Sequence, residues 1–404
     1  MGFHCSDARC YSQRLEAKAV RSLTEALEAH LAREELRLQM RDDQIAMLAQ
    51  RITKIEHALT NTPAPKPEPE PVEPPAWTGP ITVTRGGEYH GAWHSNSTTP
   101  AITINTNEPV TITGAARGHG HLIHAPGNQN QHITLNNLTL TSLGPGRALQ
   151  ADRINTLTMR HCDLVNTDGV YIHESSGATI IIEHNRATNI GHHQSNARPY
   201  VQFVQFDKTK NARGRIAWNA VTNEPHQSRA EDVINFFASG GTSDTPYVIE
   251  HNLIHGAYPR EPLTSTYSGG GILVGDYGHG HVLVTRNTVL DTVNYGIAIA
   301  GGYGSRLEHN IVLGINTVDG ERARGANIGA YIWHQQGDPG PTGANTGSGN
   351  TIGWWNKGDR RNDWWTPDAA NWSGNTAARE VTREAVLAAR AAWLIAARGA
   401  GFPW

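Results

Sequence analysis

Apolar and polar positions alternate in short runs along most of this chain, and the runs return at intervals. Ile133-Thr-Leu-Asn, Leu157-Thr-Met-Arg, Ile180-Ile-Ile-Glu and Val282-Leu-Val-Thr each read as a short strand. Three strands end in the same phrase: Glu183-His184-Asn185, Glu250-His251-Asn252 and Glu308-His309-Asn310. Looser versions stand at Asn136-Asn137, His161-Cys162, Trp218-Asn219, Arg286-Asn287 and Gly349-Asn350. From position 137 the gaps between them are 25, 23, 34, 33, 35, 23 and 40 residues. Repetition on that scale marks a solenoid, in which each coil buries its apolar face only against its neighbours. Strand-only coils that lengthen by loop insertion predict a mainly β chain, a parallel β-helix over 77–355. A second strand per coil lines up as Gly169-Val-Tyr-Ile-His-Glu174, Gln202-Phe-Val-Gln-Phe-Asp207, Asp232-Val-Ile-Asn-Phe-Phe237 and Gly271-Ile-Leu-Val-Gly-Asp276. Gly296-Ile-Ala-Ile-Ala-Gly301 and Gly329-Ala-Tyr-Ile-Trp-His334 continue the set.

The pattern upstream has another period. Residues 12–60 hold no Gly or Pro and keep a heptad register that is clean at Ile45, Leu48, Ile52, Ile55 and Leu59. That predicts an α-helical coiled-coil stalk, and isoleucine at both core positions favours three or four strands over two. A single amphipathic helix packed on the solenoid is the alternative. Residues 61–76 interleave seven prolines with Glu and Lys, the composition of a semi-rigid polyproline-II linker. Residues 1–11 form a short N-terminal anchoring segment. Residues 356–404 carry tryptophans and an Ala-rich helix near 377–398, expected to cap the open solenoid end.

Composition narrows the partners. A net charge of −3 gives no basic face for nucleic acid. No apolar run approaches the length of a membrane span, and the first residues lack the basic-then-apolar layout of a secretory signal. Cys5 and Cys10 precede the stalk, so an oligomer brings them close to their symmetry mates as candidates for interchain disulfides; free thiols, or a metal site with His4, are the other readings. Cys162 takes an asparagine's place in a coil turn and reads as a buried structural thiol.

Candidate chemistry falls on the second strand of each coil. One column holds Glu174, Asp207, Asp276 and His334, and Asp168, Glu231 and Asp232 gather where the strands begin. Asp207 and Asp276 stand two coils apart, about 9.6 Å at the ordinary strand spacing, near the upper end for an inverting glycosidase pair. Asp207, Asp276, Glu231 and Asp232 are therefore the catalytic candidates. Lys208 is an alternative base for a lyase whose Asp side chains would hold Ca²⁺. Insertions at 191–200, 222–231, 256–270 and 316–328 would wall a groove. Tyr267 and Trp333, with His334 and Glu174, are the glycan-binding candidates; Tyr258 and the Trp354/Trp355 pair are further rings suited to sugars or to cap and loop packing, which the Trp pair fits better. No metal-ligand spacing is evident.

Across 130–355 the coil pattern resembles the right-handed parallel β-helix superfamily, which includes pectate lyases, polygalacturonases and phage tailspikes. Asn166-Thr-Asp-Gly169 and Gly278-His-Gly280 resemble polygalacturonase fragments. The acidic pair Glu231-Asp232 arrives a coil late, however, and that family's Arg-Ile-Lys motif is missing, so its residue roles are not carried over. The overall layout of anchor, stalk, solenoid and cap resembles a phage tailspike or fibre. The resemblance implies a homotrimeric virion spike, fibre or decoration protein, made in the cytosol, attached through its N-terminus to a virion protein. Its β-helix would bind host surface polysaccharide, with or without cleaving it. A free polysaccharide lyase or inverting glycoside hydrolase is the alternative, and a purely structural projection the third reading.

Overall fold

The computed structural model describes residues 76–127, 130–193, 200–266, 268–334 and 342–404. The expected anchor and stalk, the linker up to residue 75, Cys5, Cys10 and Tyr267 lie outside the described residues.

The described chain winds into a parallel β-helix. One face is an eleven-stranded sheet that defines eleven coils. Its strands are Ile81–Val83, Ile102–Ile104, Ile123–Ala125, Leu149–Asp152, Val170–His173, Val204–Asp207, Asp232–Gly240, Gly270–Gly280, Tyr295–Ile299, Ile328–Ile332 and Trp364–Trp365. The other two faces belong to one nineteen-stranded sheet. Its first three strands, Gly87–Ser95, Val110–Gly118 and His132–Ser142, run through both faces. Each later coil breaks into two pieces, as at Thr179–Glu183 and Arg186–Thr188.

The Glu-His-Asn phrase is that break. His184, His251 and His309 sit at φ of 57°, 52° and 56°, and Trp218 at 54°, so the chain turns through a left-handed residue at each corner. The asparagine that follows is buried and stacks on its equivalents, making a ladder of Asn185, Asn219, Asn252, Asn287, Asn310 and Asn350 that ends at the half-buried Asn375. At its middle, Asn252 Oδ1 accepts from the Asn219 backbone N–H (3.1 Å) and Nδ2 (2.9 Å). Asn252 Nδ2 donates to Ile216 O and to Asn287 Oδ1, each at 2.9 Å. A buried amide is tolerated only when satisfied, and the repeat satisfies each one with the next. Cys162 heads the ladder, its backbone N–H donating to Asn185 Oδ1 at 2.9 Å. It is a free, buried thiol, as expected, and burial pushes it up to about 12.

Inward columns are aliphatic, punctuated by rings that fill gaps left by glycine. Tyr247 occupies the bore below Gly214, and its hydroxyl donates to Ile180 O at 2.8 Å. Trp354 is fully buried beside Gly314 and Gly296, and Tyr258 is buried with Val293, Val318 and Ala323. Both rings are thus packing residues rather than the sugar platforms offered as one reading, because neither is open to solvent. Trp355 is spent on the end of the chain: its Nε1 donates to Val381 O at 3.2 Å.

The C-terminal segment departs from expectation twice. The β-helix continues past 355, since Trp364–Trp365, Asn371–Ser373 and Thr376–Ala377 pair in parallel with the coil before. Trp372 lies over Gly347 with Trp364 6.0 Å away, and the two rings pack against the end of the core. The helix Arg383–Gly399 does not cap that end. It lies along the flank, burying Val386, Trp393 and Ala397 on the outward residues Ala220, Leu253, Leu290 and Leu313. Trp393 Nε1 donates to His251 O at 2.7 Å, and Trp404 reaches back to stack under Arg186. Those aliphatic positions face away from the core, which leaves a stripe for the helix to cover.

Candidate functional site

On the outer side of the eleven-stranded face, coils 7 to 11 surround an open cavity of about 670 Å³. Its floor carries Leu273 and Tyr331, which stand in register on either side of the buried Ala298, with Ala300 beside them. Ala300 keeps that floor low; a larger side chain there would intrude on the cavity. Trp333 and Trp365 form an aromatic wall with ring centroids 5.8 Å apart, and they are 38% and 51% exposed. Glu231, Asp232 and Asp276 form a carboxylate wall. Ser268, Asn294 and Asn327 close the remaining side from the loops. Those loops hold one another: Val318, Ala323 and Ala326 pack on Tyr258, and His226 Nε2 meets Asp319 Oδ2 at 2.8 Å. Three of the predicted insertions therefore do build a wall.

The acidic wall is wired through one amide. Asn235 Nδ2 lies 2.9 Å from Asp232 Oδ2 and 3.0 Å from Asp276 Oδ2. Asp232 also accepts a hydrogen bond from the Tyr295 hydroxyl, two coils away. Asp232 is fully buried, and burial pushes its carboxyl up to about 6, against the lowering pull of Tyr295 and Asn235 and with the help of the nearby Asp276. The Tyr295 phenol is driven well above its usual range by burial and by the Asp232 charge. Glu231 accepts from Gln202 Nε2 at 3.1 Å. Gln202 in turn meets Arg147, whose guanidinium stands 5.1 Å from the centroid of the Tyr171 ring. A polar chain thus runs from the cavity toward coil 4.

Of the catalytic candidates, the structure brings Glu231, Asp232 and Asp276 together and leaves Asp207 outside. Asp207 stands in register with Phe237, which stands in register with Asp276, so the two aspartates are two coils apart as expected. Phe237 separates them, and Asp207 accepts instead from the Tyr171 hydroxyl. Trp333 lines the cavity. His334 does not: its backbone N–H donates to Asp368 at 2.7 Å and its ring meets Asn345. Glu174 is displaced from the predicted column by one residue. The strand register pairs His173 with Asp207, and Glu174 occupies the following left-handed turn, ion-paired to Arg153 at 3.2 Å. Asn235, Tyr295, Tyr331 and Trp365 were not foreseen as site residues. Tyr295 heads its own strand and meets Asp232 only across two coils, a contact that linear spacing does not reveal.

No protein-family model matches this chain, and no curated protein matches it either. Among solved structures, the crystal structure of the periplasmic alginate epimerase AlgG is found at 11% identity and a TM-score of 0.35, covering 69% of this chain and 76% of that one. A likeness that slight carries no argument about activity, and the β-helix stands on the strand pairing itself.

Proposed function

We propose that the cavity on coils 7 to 11 binds a segment of polysaccharide and that Asp276 and Glu231 act on it as acid and base. The observation that carries this reading is the meeting of exposed rings, Trp333 and Trp365, with a carboxylate wall in one open groove. Sugars present apolar ring faces that stack on tryptophan and hydroxyls that hydrogen-bond to carboxylates. Asp232 is too buried to meet a chain in the groove. Its place is behind Asp276, where burial raises its carboxyl and Asn235 ties the two side chains together. Cleavage by hydrolysis and by lyase elimination are both open to such a pair, and the products separate them.

The test is a depolymerisation screen on neutral and acidic polysaccharides, with binding followed by tryptophan fluorescence. Trp365→Ala should weaken binding about tenfold. Asp276→Asn should keep binding and lose at least about a hundredfold in cleavage. Cleavage at full rate by Asp276→Asn would refute the acid–base role, and binding unaffected by Trp365→Ala would refute the groove.

The same reading places this groove on a projecting homotrimer, a virion spike or fibre that meets host surface polysaccharide. Its support is the isoleucine-rich heptad and the proline run of the sequence. Light scattering should give a trimer for the full chain and a monomer for a chain beginning at Trp77. A full-length monomer would remove the spike and leave a free enzyme.

A further inference from the structure

Tyr277 follows Asp276 and lies on the side of the carboxylate away from Trp333 and Trp365. Its ring stacks on Phe237 with centroids 5.3 Å apart and planes 3° from parallel. One ring face is spent on Phe237, yet the residue is 52% exposed, so its other face meets solvent. Its backbone is unusual as well. Tyr277 sits at φ 55°, within a segment where Gly275, Gly278, His279, Gly280 and His281 also take positive φ. The register between coils 7 and 8 shifts at this point, which sets Asp276 opposite Phe237. A bulky aromatic in the left-handed region costs free energy that glycine would avoid, and a half-exposed ring recovers only part of it through its stack on Phe237.

Along the helix axis the order is Trp365 on coil 11, Trp333 on coil 10, the low floor at Ala300 on coil 9, Asp276 and Tyr277 on coil 8, and Phe237 on coil 7. Four coil intervals span about 19 Å at roughly 4.8 Å each. Resting on the proposed saccharide groove, we infer that Phe237 and Tyr277 form a second sugar-stacking platform, so that Asp276 faces an internal linkage of a chain held on both sides. The substrate is then an oligomer well longer than a disaccharide, attacked away from its ends. A site that trims chain ends needs only one flank and a closed far side. Here rings stand on both flanks, and the carboxylate lies between them.

The experiment measures affinity for short and long members of three series: cellobiose and cellohexaose, chitobiose and chitohexaose, and di- and hexagalacturonate. Calorimetry is run on the full chain and on Tyr277→Gly and Tyr277→Ala. Glycine fits the left-handed backbone, so Tyr277→Gly should melt no lower than the native protein. In a series that binds, the hexamer should bind the native protein at least about tenfold tighter than the dimer. Both variants should lose most of that difference while changing the dimer's affinity less than about twofold. A hexamer-to-dimer ratio left intact in the folded variants overturns the second platform and leaves the Trp333/Trp365 groove standing. Equal binding of dimer and hexamer by the native protein overturns it as well. Failure of every compound to bind the native protein removes the groove reading and this inference together.

Discussion

Asp232 shows how one residue takes its chemistry from its neighbours. A carboxyl fully out of water, given two hydrogen bonds but set beside Asp276, settles at about 6 instead of its ordinary value. The sign of the consequence follows. Because the folded protein holds this proton more tightly than the unfolded chain does, ionising Asp232 opposes folding. Stability tied to this group is greatest below about pH 4 and is lost as pH rises through about 6. Histidines such as His184 and His251, whose pKa values burial lowers, act in the opposite sense on acidification. The comparison that isolates Asp232 is therefore with Asp232→Asn. Urea midpoints taken from pH 4 to pH 7 should show the variant gaining on the native protein as pH rises, by about 3 kcal/mol at most. A constant difference across that range would mean that Asp232 titrates normally.

At the scale of elements, the corner asparagines set the repeat. Truncating Asn252 to alanine would strand the Asn219 backbone N–H and take a partner from the Ile216 carbonyl, while the Asn219 side-chain amide would keep Ile182 O and the Asn287 oxygen the backbone N–H of residue 252. At ~1–3 kcal/mol for each unsatisfied buried group, offset in part by rearrangement, the expected loss is about 3–5 kcal/mol. Chemical denaturation checks it, and a loss below about 1 kcal/mol would show that the ladder is dispensable. This element was the most legible part of the chain, because one turn chemistry, a left-handed residue and then a buried amide, leaves Glu-His-Asn on three coils and an asparagine at the same corner of several others. The acidic face was half legible. Counting from the corners placed Asp207, Phe237 and Asp276 in one column, but matching Gly169 to Gln202 misplaced Glu174 by one position. The true register pairs Gly169 with Phe203, and a one-residue slip moves every side chain to the other face. The flank helix was legible as a helix and not as to its place. That place depends on Ala220, Leu253, Leu290 and Leu313 pointing outward, which only the completed winding decides.

For the whole molecule, winding brings together what the chain keeps far apart. Glu231 and Trp365 share a cavity although 134 residues separate them in the sequence. The face that carries them is open, while one flank is closed by the helix Arg383–Gly399, and this has a colloidal side. The helix lays its own apolar residues on an aliphatic stripe and turns Arg383, Glu384 and Arg398 to the water. Bared, the stripe would be a continuous oily seam running over several coils, the kind of surface through which proteins clump. Covered, it becomes a charged rail, on which Leu387 and Ile395 are exposed as scattered large aliphatics. The helix thereby acts as a solubilising sleeve for that side, and leaves the aromatics of the groove as an exposed apolar surface on another.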